Sequence, residues 1–64
     1  MTHAEQHRIL SELKDYEWKM KRTDQERFAM FLKRDKDDED LDDVSLNQLL
    51  ALYTTYVPER RRLL

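Results

Sequence analysis

The chain has 64 residues, with no glycine, no cysteine and one proline; 41% of it is charged, and its net charge is −2. A domain this short buries only roughly 60% of the surface its unfolded chain exposes, so self-association or docking on a larger partner is the expected source of added stability. Without cysteine there is no disulfide, thiolate metal site or cysteine nucleophile, and without glycine there is no P-loop or Rossmann phosphate loop. Turns with positive φ are cheapest with glycine, so a single all-α domain over residues 1–64 is expected, a small three-helix bundle. No apolar run approaches the roughly 18 residues of a membrane span and no signal-peptide core opens the chain, so the expected location is cytoplasmic.

The first element is a helix over about residues 3–21. Thr2 and Glu5 form a T-x-x-E capping box, and Ile9, Leu13, Tyr16 and Met20 follow at gaps of four, three and four along one face. Trp18 falls on the opposite side of such a helix. His3 and His7, four residues apart, share a face that could hold a metal. With no third ligand evident they are read as solvated, and no metal or other cofactor is assigned.

A polar stretch from Lys21 to Arg27 follows, with Thr23 to Glu26 repeating the T-x-x-E signature. A helix break is expected there, with Thr23 capping a second helix over about 24–34. The alternative is one bent helix, and then a hairpin that dimerises into a four-helix bundle. Phe28, Phe31 and Leu32 share the face of the second helix expected to be buried, Ala29 lies beside them, and Met30 points away.

Residues 35–43, DKDDEDLDD, hold seven acids and one lysine, a local charge of −6. Like-charge repulsion predicts an open loop, with Leu41 returning to the core. The EF-hand pattern fails where it is strictest, since Asp40 stands where glycine is needed and Leu46 where the bidentate glutamate is needed. Flanking segments are basic: residues 1–34 carry eight basic against six acidic groups, and residues 44–64 three against one.

The third helix is expected over 45–57. Ser45 and Gln48 form a capping box, with Val44 and Leu49 as a hydrophobic staple. Leu46, Leu49, Leu50, Tyr53, Tyr56 and Val57 line its apolar face, and Pro58 ends it. The tail 59–64, ERRRLL, is basic; Leu63 and Leu64 are read as covering the core or a dimer seam, and its match to a dileucine sorting signal is weak.

No residue set points to catalysis: the carboxylates look solvated, and neither Ser11 nor Ser45 has a triad context. The expected function is a non-enzymatic protein–protein interaction module, a small regulatory, adaptor or inhibitor subunit. Trp18 and Met30 are its apolar contacts, and the acids Asp37, Asp38, Glu39 and Asp40 steer the partner. One alternative is a small nucleic-acid-binding regulator using Lys19, Lys21, Arg22, Arg60, Arg61 and Arg62. A structural, self-assembling subunit, for instance a homodimer, is another.

Overall fold

The computed structural model describes residues 1–62. Three helices pack against one another: α1 (His3–Lys14), α2 (Arg22–Lys36) and α3 (Asp43–Tyr56). Short 3-10 turns, Glu17–Lys19 and Glu59–Arg61, follow α1 and α3. The N-terminal part of α1 meets the end of α2 through Gln6 and Asp35, and Tyr56 of α3 meets the start of α2. The bundle therefore runs up, down and up again, and has two distinct ends.

The Thr2 cap forms as the sequence implies. The Glu5 N–H donates to Thr2 Oγ1 at 3.2 Å, and the hydroxyl donates to the Glu5 carboxylate at 3.1 Å. α1 stops at Lys14, however, seven residues before the expected end. Asp15 and Tyr16 close back onto Glu12 and Leu13, and Lys19 and Met20 onto Tyr16 and Glu17, so the chain tightens into i→i+3 turns. The tightening lets Met20 reach the core from an extended residue while the chain doubles back. A helix continued to residue 21 would carry the chain past the place where α2 packs.

α2 begins at Arg22 with Lys21 as its N-cap, so Thr23 is an ordinary first-turn residue and caps nothing. Its neighbours fasten the connection: Gln25 donates to the Glu17 carbonyl at 3.0 Å, and Asp24 accepts from the Tyr56 hydroxyl at 2.6 Å. α2 extends to Lys36 and takes Asp35 into the helix. It ends in a Schellman arrangement. The Glu39 N–H reaches the Arg34 carbonyl at 2.9 Å, the Asp38 N–H reaches the Asp35 carbonyl at 3.0 Å, and Asp38 has φ +58°.

α3 begins at Asp43 with Asp42 as N-cap, so Ser45 lies inside the helix and the expected Ser45–Gln48 box does not form. Val44 is 64% exposed and closes no staple. At the other end Arg62 folds back, donating from Nε to the Val57 carbonyl at 3.0 Å and from its terminal nitrogen to Thr54 at 2.9 Å. Two carbonyls at the helix C-terminus thereby gain a cationic donor. The expectation for Leu63 and Leu64 lies outside the described residues.

The core comprises Ile9, Leu10 and Leu13 from α1, Met20 from the connection, Phe28 and Phe31 from α2, Leu41 from the loop, then Leu49, Leu52, Tyr53 and Val57. Leu52 replaces Leu50 on the buried face, and Ala29 is exposed. Complete burial of an aliphatic or aromatic side chain stabilises by about 1.5–3 kcal/mol, and Phe28, Ile9, Leu10, Leu13, Leu49 and Val57 are completely buried.

Candidate functional site

Each end of the bundle gathers groups that lie far apart in sequence. At the acidic end the loop is fastened to α1, contrary to the open loop expected from its charge. Gln6 is buried, and its amide nitrogen donates to Asp35 Oδ1 and to the Glu39 carbonyl, both at 3.2 Å. Its amide oxygen accepts the Leu41 N–H at 3.0 Å. Asp35 is only 8% exposed. His7 Nδ1 donates to its second oxygen at 2.6 Å, and His3 Nε2 stands 3.6 Å from its first.

His3 also donates from Nδ1 to Asp40 at 3.0 Å, and its Nε2 lies 3.9 Å from Asp38. The two histidines expected to be solvated keep much of their exposure but are engaged: both face Asp35 at the end of α2, and His3 also holds the loop through Asp38 and Asp40. Arg34 does the same from α2, lying 3.6 Å from both Glu39 and Asp42. Asp42 closes no full cap bond. Even so, its carboxyl is held below the ordinary value, chiefly by the Ser45 hydroxyl, with the Ser45 N–H and Arg34 adding to the effect. Among the described residues no group of three or more His, Asp or Glu is placed to hold a metal ion. Asp37, Asp38, Glu39 and Asp40 all lie exposed at this end.

The opposite end is built by the α1–α2 connection and the tail after α3. Tyr56 joins them: its hydroxyl accepts the Lys21 N–H at 3.3 Å and donates to Asp24. That donated bond raises the Tyr56 pKa above the ordinary phenol value, against the smaller opposing effect of the Lys21 N–H. Arg61 borders a recess shared with Glu12, Asp15, Tyr16 and Val57. Lys19, Lys21 and Arg22 are thus brought to the same end as Arg60 and Arg61, and all five are exposed. Arg62 is spent on the α3 carbonyls. Asp15, Glu17 and Glu59 lie among these cations.

Trp18 stands in this basic end, 75% exposed. Its indole N–H donates to the Asp15 carbonyl at 3.1 Å, and the Lys19 ammonium lies 5.3 Å from its ring centre and 5.6 Å from that of Tyr16. The ring is therefore held in place while exposed. Its polar handle is satisfied within its own turn, so what it offers outward is apolar and π surface.

Met30, 65% exposed, is not brought beside Trp18. It lies in an open groove between α2 and α3, with Arg27, Arg34, Ser45 and Gln48 around it. Met30 also borders a second recess with Lys33, Arg34, Asp37 and Glu39, so it meets two of the acids 37–40, while Trp18 stands apart from both at the other end. The sequence reading missed Gln6, Asp35 and the capping role of Arg62. Gln6 had a signal, since it sits three and seven residues before Ile9 and Leu13 and so continues their buried stripe.

Among the described residues no helix is long and apolar enough to cross a membrane. Comparison with protein-family models, curated proteins and solved structures finds no match for this chain.

Proposed function

We propose that this chain is a non-enzymatic protein–protein interaction module, a small regulatory, adaptor or inhibitor subunit that docks through the Trp18 end of its bundle. The observation carrying this reading is the held, exposed indole. Tryptophan is enriched among the residues that dominate binding energy. A ring already held by its own turn loses little side-chain freedom when a partner covers it, which removes part of the usual cost of association. The cations around it add steering and register.

A second reading, nucleic-acid binding, gains from the meeting of Lys19, Lys21 and Arg22 with Arg60 and Arg61 at one end. Partner capture from the source cell's lysate, with and without nuclease, separates the two. The docking reading expects a stoichiometric protein that survives nuclease. Capture is then lost with Trp18→Ala while far-UV helicity persists. Capture indifferent to Trp18→Ala overturns the reading.

A further inference from the structure

We infer that the segment seated on Trp18 is an acidic peptide stretch of a partner protein, with one apolar side chain packed on the indole and aspartates or glutamates on either side. The inference rests on the docking reading above and names the chemistry of its partner.

The argument begins with what surrounds the ring. Lys19 and Lys21 come from the α1–α2 connection, Arg22 opens α2, and Arg60 and Arg61 come from the turn after α3; all are exposed. Among the described residues the side chain of Arg22 has a long contact with Glu26, at 3.6 Å, and is otherwise turned to solvent. Arg61 shares the recess of Asp15 and Tyr16, next to the carbonyl that holds the indole. A partner covering Trp18 thus meets cations from two separate segments of the chain. Leaving them unpaired beneath a covered interface is costly, so the matching surface must supply carboxylates.

The same end argues against a uniform polyanion. Asp15, Glu17 and Glu59 are interspersed with the cations. A nucleic acid presents charge at every backbone step and must bring some phosphates beside these carboxylates. A peptide can space its acids to meet the cations and avoid the anions. It also supplies an aliphatic side chain for a ring whose N–H is already committed. The acidic loop of the same molecule lies at the far end of α2, about 21 Å away along the helix, so it cannot cover Trp18 in cis.

The test uses the full chain and its single tryptophan, Trp18, as the reporter. The probes are a synthetic peptide of about six acidic residues flanking one leucine, and a single-stranded DNA of matching charge. The expected result is a saturable blue shift of Trp18 emission with the peptide. Affinity should fall about tenfold or more between about 0.1 M and 1 M salt, as the screening length shrinks from about 10 Å to 3 Å. The double variant R60E/R61E, which leaves the Arg62 cap intact, should lose binding at unchanged circular dichroism.

No emission change at low salt, undiminished binding by R60E/R61E, or tighter binding of the DNA would each overturn the inference. Running both variants in partner capture separates the two failures. Capture lost with Trp18→Ala but kept with R60E/R61E leaves the docking reading standing and removes the acidic partner. Capture kept with Trp18→Ala removes the docking reading itself.

Discussion

At the scale of the residue, Gln6 holds the acidic end together. Its one amide satisfies a buried carboxylate, the Glu39 carbonyl and the Leu41 N–H. Removing it leaves the Leu41 N–H and an oxygen of Asp35 short of a partner in a buried place. An unsatisfied buried group costs about 1–3 kcal/mol. Gln6→Ala should therefore lower the stability read by urea unfolding by that amount and loosen amide-exchange protection at Leu41. Gln6 was legible in part, since it continues the stripe of Ile9, Leu10 and Leu13. Its bonds were not, because they reach residues 29 to 35 positions away. The same holds for His3 and His7: four-residue spacing showed a shared face, and only the fold supplied Asp35, Asp38 and Asp40 opposite them. Trp18 was singled out as off-stripe. Its exposure has a different cause from the one inferred, since it sits in a 3-10 turn and not on the far side of a long helix.

At the scale of the element, helix starts were easier to read than helix ends. The Thr2 cap is local and formed as written. The boxes at Thr23 and Ser45 did not form, because both helices start earlier: the connection into α2 is fastened by Asp24 and Gln25, and α3 starts at Asp43, where the chain leaves the acidic turn. The end of α2 shows what a chain without glycine must accept. The left-handed residue of its Schellman turn is Asp38, and an L-residue there costs about 1–2 kcal/mol. Arg34 and Glu39 hold the positions where an apolar pair usually closes the motif. Asp38→Gly relieves the steric cost and adds entropy to the unfolded chain. A net gain of about 0.5–1 kcal/mol is expected, read as a higher Tm. Asp38→Val, which cannot take that conformation easily, should lower it.

At the scale of the whole molecule, the all-α bundle followed from the missing glycine and the three apolar faces. The hairpin alternative gives way because the break after Lys14 is real. What no single face announced was the pairing of ends. Tyr56 carries much of it, joining α3, the connection and α2 through one hydroxyl. Because its hydrogen bond to Asp24 raises its pKa in the folded state, the stabilisation is fully present below the ordinary phenol range. It is lost as pH rises through the higher folded value. Tyr56→Phe should remove this alkaline dependence, checked by unfolding at a series of alkaline pH values beside the tyrosinate absorbance titration.

The division of charge between the two ends also makes the molecule an electric dipole. The acidic stretch 35–43 lies at one pole of a body 26 Å across, and the exposed cations around Trp18, with fewer acids among them, lie at the other. To a distant charged surface it is an anion of −2. Within a screening length, about 8 Å at physiological salt, the surface feels the nearer pole instead. An acidic surface then exerts a torque that turns the basic pole inward, and a basic surface turns the molecule the other way. The bundle thus reaches a charged partner already oriented, with the indole leading toward acid and trailing behind when the partner is basic.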